Sequence, residues 1–345
     1  MRAFTYLSAG TFALTEKPEP SLLGERDAIV KMTLAAPCTS DVHIRRGAVP
    51  RAKTGITLGH EGVGIVESVG SAVKGIRPGM RVAINCETYC GDCFFCRRGW
   101  VNNCTDPAGG WALGCRIDGL LAEYARIPYA DCCLTPIPDG VSDESALFTG
   151  DLLSTGYWAA DLAQIEEGSC VLIIGAGPAG LCAAECAKLK KPARILVCES
   201  DPARRRFAAE KFPYLLTCTP EEAPSLARQQ SGQGGADAVI EAAGTEESFR
   251  LAWECARPNA CVAVVAMYER PQVLPLPDMY GKNLTFKTGG VDGCRCGEIL
   301  AHIAAGRIDA RALITHTFPL KEIEAAYALF ESRGEGAVKI AITCG

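Results

Sequence analysis

A glycine-rich turn between a buried strand and a helix is the feature that most constrains this chain. Residues 169–174, Ser-Cys-Val-Leu-Ile-Ile, are the apolar run that a buried parallel strand requires. Gly175-Ala-Gly177-Pro-Ala-Gly180 follows directly and leads into a predicted helix at 179–189. Such a turn is weak evidence alone, but between a strand and a helix it is typical of dinucleotide-binding sheets. The segment therefore predicts a parallel α/β domain that binds a nucleotide.

Each glycine of this turn has a separate predicted task. Gly175 permits the tight turn, Gly177 lets a pyrophosphate approach the backbone, and Gly180 lets the helix pack on the strand. The helix start, with Pro178 and Ala179, presents unpaired N–H groups and the positive end of the helix dipole. We therefore expect these residues to bind the diphosphate of the cofactor.

Glu199 indicates which nucleotide is bound. It ends the next predicted strand, 19 residues after Gly180. A carboxylate there accepts hydrogen bonds from an adenosine ribose and repels a 2′-phosphate, which favours NAD over NADP. Arg204 and the two arginines after it would soften that repulsion. The alternative is a glycine-rich helix start with a solvated acid and no nucleotide.

The strand and helix patterns divide the chain into three parts. Residues 1–150 alternate in short runs between turns, which predicts an all-β domain. Between 151 and 290, apolar strands alternate with helices, which predicts an open parallel sheet. Residues 291–345 change pattern again, with helices near 297–305 and 320–331 and a final strand at 337–342. A length of 345 residues fits about two domains.

Four closely spaced cysteines predict a metal site, and they are Cys90, Cys93, Cys96 and Cys104. The chain has 19 cysteines but is too long for a small disulfide scaffold, so a reducing compartment with some thiols on metal fits better. The spacing suits a closed, structural Zn²⁺ site in a lobe at about 86–106. Four unrelated thiols or an iron–sulfur cluster are the alternatives. Cys86 and Cys115 are expected to be unligated neighbours.

Three dispersed segments carry further reactive groups. The residues are Cys38, Ser40, Asp41 and His43 after Pro37, His60 and Glu61 at a strand start, and Asp151 and Thr155 in the first helix of the α/β part. Taken singly, each segment has a structural interpretation. Cys38 could be a core thiol, His60 a turn histidine and Asp151 a helix N-cap.

Taken together, the chain resembles the zinc-dependent medium-chain alcohol dehydrogenases, and in part their bacterial secondary-alcohol and polyol branch. The motifs are Gly59-His-Glu-x2-Gly64, the four-cysteine lobe, Pro78-Gly-x-Arg-Val, Gly119-x2-Ala-Glu-Tyr124, Ser154-Thr-Gly156 and the glycine-rich turn. The resemblance implies an α/β fold with a GroES-like β-barrel catalytic domain over 1–150. A Rossmann doubly wound parallel sheet over 151–290 follows, and 291–345 return to the catalytic domain.

The resemblance also implies a catalytic zinc ion held by Cys38, His60 and Asp151. Asp151 departs from the liver-type enzymes, which have a cysteine there, whereas bacterial secondary-alcohol dehydrogenases have an aspartate. Glu61 matches a carboxylate that enters the zinc coordination sphere during exchange. An open three-ligand zinc site makes an alcohol more acidic, which is the chemistry that this family requires.

Ser40 and His43 match the proton relay of the family, and their i, i+3 spacing places them on one helix face. Asp41 matches a partner that fixes the His60 tautomer. Asp151 and Thr155, at i, i+4, would place a zinc ligand and a nicotinamide contact on one face. Trp111 is a candidate wall of the substrate pocket, with a core tryptophan as the alternative. His302 and His316 are expected to be structural.

The predicted protein is thus a zinc-dependent oxidoreductase that transfers a hydride between NAD and a secondary alcohol, a polyol or the matching ketone. It would carry two zinc ions per chain. An amino-acid alcohol such as threonine, or an aldehyde, is the alternative substrate. A non-catalytic nucleotide-binding protein on the same fold is the alternative from another class.

The expected partners are small molecules only. A net charge of −5 gives no electrostatic footprint for nucleic acid or an anionic membrane. No segment predicts a signal peptide or a membrane span, so we expect a cytoplasmic enzyme. The family resemblance implies a homo-tetramer, with a dimer as the alternative.

Overall fold

The computed structural model describes residues 1–292 and 295–345, which form two compact units. The first unit consists of Met1–Ser154 together with Asp292–Gly345, and the second of Thr155–Val291. Each unit buries its own apolar core. The chain therefore leaves the first unit once, completes the second, and returns.

The first unit is built on a β1–β2 hairpin and a seven-stranded, mostly antiparallel sheet that combines β3–β7 with two strands of the C-terminal segment. The strands before the second unit are β1 (Arg2–Ser8), β2 (Thr11–Glu16), β3 (Ala28–Ala36), β4 (Glu61–Val69), β5 (Arg81–Ile84), β6 (Tyr124–Ile127) and β7 (Leu134–Pro136). The short helices among them are α1 (Thr39–Arg45), α2 (Ala130–Cys133) and α3 (Asp143–Ala146). The all-β prediction for 1–150 is therefore wrong at α2 and α3, whereas the i, i+3 spacing of Ser40 and His43 already predicts a helix at α1.

The second unit contains the predicted parallel sheet, with strand order β10-β9-β8-β11-β12-β13. The strands are β8 (Cys170–Ile174), β9 (Arg194–Cys198), β10 (Leu216–Cys218), β11 (Ala236–Glu241), β12 (Ala256–Val264) and β13 (Thr285–Thr288). The helices are α4 (Ser154–Leu162), α5 (Pro178–Ala187), α6 (Pro202–Lys211), α7 (Ala223–Ser231), α8 (Glu246–Cys255) and α9 (Leu276–Met279). Strand order reverses between β8 and β11, and crevices at such reversals bind nucleotides in doubly wound sheets.

The C-terminal segment completes the first unit. Its elements are α10 (Cys296–Ala304), β14 (Ile314–Pro319), α11 (Ile323–Ser332) and β15 (Lys339–Thr343). β15 pairs parallel with β14 and antiparallel with β3, so the last strand of the chain lies inside the sheet. No helix in the described residues is long and apolar enough to cross a bilayer.

The first predicted helix of the α/β part does not begin as an α-helix. Thr149–Leu153 form a π-helical turn, and α4 begins only at Ser154. The carbonyl of Gly150 accepts a hydrogen bond from the Cys86 N–H at 3.0 Å, and the Ser154 hydroxyl donates to the Thr149 carbonyl at 2.7 Å. These bonds occupy carbonyls that an α-helical first turn would use. Asp151 therefore lies in a widened turn, the kind often found at functional sites.

Candidate functional site

The four clustered cysteines converge as their spacing predicts. Their sulfur atoms all lie within 4.8 Å of one another. The Sγ–Sγ distances are 3.9 Å for Cys90–Cys96, 3.4 Å for Cys93–Cys96 and 3.7 Å for Cys90–Cys104. A Zn–S bond of about 2.3 Å places tetrahedral sulfurs about 3.8 Å apart. Cys90, Cys93, Cys96 and Cys104 therefore suit a closed zinc site, and Cys86 and Cys115 lie outside this donor set.

The dispersed residues also converge, in the core of the first unit. One donor atom from each of Cys38, His60, Glu61 and Asp151 lies within 4.8 Å of the others. Asp151 Oδ2 is 3.4 Å from His60 Nε2 and 3.6 Å from Cys38 Sγ. All four residues are at least nine-tenths buried. A buried thiol, imidazole and carboxylate at these distances form a mixed S, N, O donor set that Zn²⁺ accepts.

Local structure explains how these donors are held. Cys38 is the N-cap of α1, and its N–H donates to Asp41 Oδ2 at 2.9 Å. His60 lies immediately before β4, where the Gly59 carbonyl accepts the Leu120 N–H at 3.0 Å. Three separate elements, α1, β4 and the π-helical turn, thus each contribute one donor.

The three donors perturb one another's protonation. Burial raises the pKa of the Cys38 thiol, and the charges of Asp151 and Glu61 raise it further. Burial favours neutral His60, but hydrogen bonds to Asp151 and Cys38 outweigh it and hold the histidine pKa well above its usual value. Burial likewise opposes ionisation of Asp151, yet the contact with His60 keeps its pKa below the usual range. Cys38 and His60 therefore hold protons that a bound metal ion would displace, because thiolate and neutral imidazole are the forms that bind a metal.

Glu61 is held by a lysine that the sequence patterns do not indicate. Lys339 Nζ lies 2.6 Å from Glu61 Oε2 and donates to the Pro37 carbonyl at 2.6 Å. Lys339 is 1% exposed and Glu61 is fully buried. Burial raises the pKa of Glu61 to about 8 despite the attraction of Lys339. The pair anchors β15 beside the donor set.

Ser40 and His43 lie on α1, as their spacing predicts. Ser40 Oγ is 3.2 Å from Cys38 Sγ and 3.5 Å from His60 Nε2, so its hydroxyl faces the donor set. His43 is half-buried on the same short helix. This arrangement offers a hydroxyl at the donors and an imidazole farther along the helix.

The predicted support of His60 by Asp41 is only partly present. Asp41 Oδ1 faces His60 Nδ1 at 3.7 Å, which is longer than a hydrogen bond. Burial raises the pKa of Asp41. The ring of Trp111 contacts His60 edge to face, with centroids 5.8 Å apart. His302 and His316 lie on α10 and β14.

The glycine-rich turn of the second unit has the predicted geometry. Gly175 has a φ of +105°, which favours glycine. A Cβ on Gly180 would lie 1.9 Å from the Gly175 carbonyl oxygen, so α5 can pack here only with glycine. Gly177 is the N-cap of α5, and Pro178 and Ala179 are its first residues.

Glu199 and Arg204 both face this turn. Glu199 Oε2 accepts the Ala176 N–H at 2.8 Å. The Arg204 guanidinium lies 3.8 Å from where a Cβ on Gly177 would be. The turn is therefore flanked by one acid and one base. Thr155, at the start of the second unit, lies on α4.

Comparison with known proteins gives matches along almost the whole chain. The family described as "Alcohol dehydrogenase GroES-like domain" matches residues 24–139, and "Zinc-binding dehydrogenase" matches residues 178–298. An alcohol dehydrogenase of Cupriavidus necator is 34% identical over 366 residues, covering 99% of this chain and 98% of that protein.

Two further relatives carry more specific names. The NADP-dependent isopropanol dehydrogenase of Thermoanaerobacter brockii is 32% identical and covers 98% of each chain. The structure of the alcohol dehydrogenase TADH from Thermus sp. ATN1 matches with a TM-score of 0.91 at 33% identity, covering 100% of both chains.

Proposed function

Because this chain belongs to the zinc-dependent medium-chain alcohol dehydrogenase family, we propose that it interconverts a secondary alcohol or polyol and the matching ketone, with NAD as hydride carrier. The observation that carries the proposal is the buried convergence of Cys38, His60 and Asp151. A protein that only binds nucleotide has no use for this donor set. The glycine-rich turn supports the nicotinamide cofactor.

Two metal sites fit the residues present. Cys38, His60 and Asp151 would hold a catalytic zinc ion, with Glu61 close enough to exchange with a ligand. Cys90, Cys93, Cys96 and Cys104 would hold a structural one. The catalytic ion supplies Lewis acidity that lowers the pKa of the alcohol hydroxyl.

The chain's own groups then divide the work. Ser40 Oγ, facing the donor set, would accept the hydroxyl proton while its own proton moves on, and His43 on the same helix would release a proton to solvent. Thr155 would contact the nicotinamide, which would supply the acceptor for the hydride of the substrate carbon. Burial of Cys38, His60 and Asp151 keeps water from competing with the alcohol.

Glu199 supports NAD as the carrier. Its carboxylate lies at the turn, where it would accept hydrogen bonds from a ribose and repel a 2′-phosphate. Arg204 acts in the opposite direction because its cation would attract that phosphate. The Thermoanaerobacter brockii relative is named for NADP, so the Glu199→Ala variant is informative. We expect this variant's ratio of kcat/KM with NAD to kcat/KM with NADP to fall about tenfold.

The proposal is tested by following reduced nicotinamide absorbance with the zinc-loaded chain. Neutral secondary alcohols, polyols, threonine and aldehydes are supplied with NAD or NADP, before and after chelation. We expect turnover of secondary alcohols that ends when zinc is removed and returns when it is restored. Activity that survives complete zinc removal would overturn the metal-dependent mechanism. We also propose that the protein is cytoplasmic and forms a homo-tetramer. Light scattering of the purified chain measures the number of subunits.

A further inference from the structure

A basic cluster lies beside the donor set in the first unit. The Arg51 guanidinium carbon is 5.1 Å from the centre of the Trp111 ring. The same ring is 5.8 Å from the imidazole of His60. Two successive contacts thus connect Arg51 to a predicted zinc ligand. Burial raises the pKa of the Cys115 thiol, and the positive charges of Arg51 and Arg116 oppose that rise, so both arginines lie near Cys115.

The cluster lacks a counter-charge of its own. Within residues 1–292 and 295–345, neither Arg51 nor Arg116 forms an ion pair with a carboxylate, whereas Arg45, Arg81 and Arg126 do. Arg116 instead donates to the backbone carbonyls of Pro107 and Gly109. The chain as a whole is acidic, with a net charge of −5. Two arginines without carboxylates are therefore a local excess of positive charge.

Unused hydrogen-bond donors add a second, independent observation. Trp111 Nε1 and Arg116 Nε are both buried and have no acceptor among the residues that the structure describes. Buried donors without acceptors are rare in folded proteins, and an ordered water or a bound ion is one way in which they are satisfied. Arg51 itself is exposed, so its guanidinium is open to a ligand on the side away from the indole.

We propose that Arg51, with Arg116 behind it, binds an oxyanion on the substrate, so that the alcohol carries a carboxylate or a phosphate group. This inference rests on the proposed function, because the hydroxyl of the same molecule would lie at Cys38, His60 and Asp151. The planar guanidinium fork matches the oxygens of either anion. Stacking on Trp111 fixes the plane of that fork in advance. The contacts of 5.1 Å and 5.8 Å limit the separation of the Arg51 guanidinium carbon and the centre of the His60 ring to about 11 Å at most.

The test compares matched charged and neutral substrates. Binding of 3-hydroxybutyrate, glycerol 3-phosphate and butan-2-ol to the zinc-loaded chain with NADH is measured by calorimetry, and turnover is measured in parallel. We expect Arg51→Gln to weaken binding of at least one anion about tenfold or more and to raise its KM, and to change the kinetics with butan-2-ol by a much smaller factor. Arg51→Lys should fall between wild type and Arg51→Gln, because it keeps the charge but loses the fork. Arg311→Gln, which removes an exposed arginine paired with Asp309, is the matched control.

The outcomes separate this inference from the proposed function. Binding of an anion through Arg51 without turnover of any alcohol would overturn the proposed function and keep the anion site. Turnover of butan-2-ol with no anion bound by the wild type, or with equal anion binding by Arg51→Gln, would overturn the anion site. The two anions distinguish carboxylate from phosphate, and binding that weakens as salt rises supports the ionic contact.

Discussion

The two candidate zinc sites of the first unit are built in opposite ways. The four cysteines of the lobe lie within 15 residues, and their side chains are only partly buried. The donors at the other site are buried, and Cys38 and Asp151 are 113 residues apart. A local loop can place the first set, whereas only the completed sheet can place the second. This difference predicts that the two sites respond differently to substitution.

The largest expected effect is on catalysis. Asp151→Asn removes the anionic donor and should lower kcat/KM on the order of 10³-fold, because the Lewis acid loses a ligand. Bound zinc should fall by one ion per chain, with the lobe still loaded. Alcohol turnover and metal analysis of the purified variant measure both. Asp139→Asn, at an exposed acid, is the control, and unchanged turnover by Asp151→Asn would contradict the proposed donor set.

The next effect is on stability at the dispersed site. Above the Glu61 pKa of about 8, where the pair is ionised, Lys339→Met leaves Glu61 buried without its partner and should cost about 3–5 kcal/mol of unfolding free energy. Adding Glu61→Gln should recover most of that loss, since the pair is then replaced together. Urea unfolding measures both variants. Arg311→Met, which breaks an exposed pair, should cost less than about 1 kcal/mol, and an equal loss would contradict the argument.

A smaller effect is expected at the lobe. Cys96→Ser should release one zinc ion and lower the Tm by roughly 5 °C, while the donors around Asp151 stay in place. Cys132→Ser is a close control, because Cys132 lies 3.3 Å from where a Cβ on Gly91 would be but outside the four-cysteine set. Scanning calorimetry with metal analysis distinguishes them. Equal losses of zinc in the two variants would contradict the assignment.

The smallest effect concerns thiol reactivity in the zinc-free chain. Hydrogen bonds from the backbone N–H groups of Cys96 and Thr105 lower the pKa of Cys93 to about 5. Its thiolate form therefore increases as pH rises through about 5 and is complete at neutral pH. We expect iodoacetamide to label Cys93 at a rate that is flat from about pH 6 upward, whereas an ordinary thiol accelerates through about pH 8.5. Cys38, buried and with a raised pKa, should label slowly at every pH. Mass spectrometry of timed samples gives the rates, and a Cys93 rate that still climbs near pH 8 would contradict the prediction.

The parts of the fold that the sequence predicts are those with a local signal. The strand, turn and helix around Gly175 and Gly180 are confirmed, because only glycine fits that turn. The short strands β10 and β13 are not predicted, since three or four residues leave no periodic pattern. The π-helical turn at Asp151 is missed as well, because its contact with distant Cys86, a hydrogen bond to the Gly150 carbonyl, leaves no local pattern in the sequence.

The candidate site follows the same rule. The motifs name Cys38, His60 and Asp151 because of a resemblance, and the structure brings them together. Lys339 has no motif, and its partner acceptor on Pro37 is 302 residues away. The sequence did contain one signal for this pair, because Lys339 interrupts an apolar strand. A lysine that is buried in such a strand requires a buried carboxylate as its partner. The sequence does not indicate the basic cluster at Arg51 either, because the residue that Arg51 stacks on, Trp111, is distant in sequence.

The position of β15 has a consequence for how this protein is made. During synthesis on the ribosome, the contiguous segment Thr155–Val291 has emerged in full while the tail of the chain is still being translated. The first unit cannot fold as early, since its seven-stranded sheet lacks β15 until the codons for Lys339–Thr343 have been read. Until then, Glu61 lacks Lys339, the cation that it pairs with in the finished core. Nascent chains stalled shortly before Lys339 should therefore hold a folded second unit beside an unfinished first one.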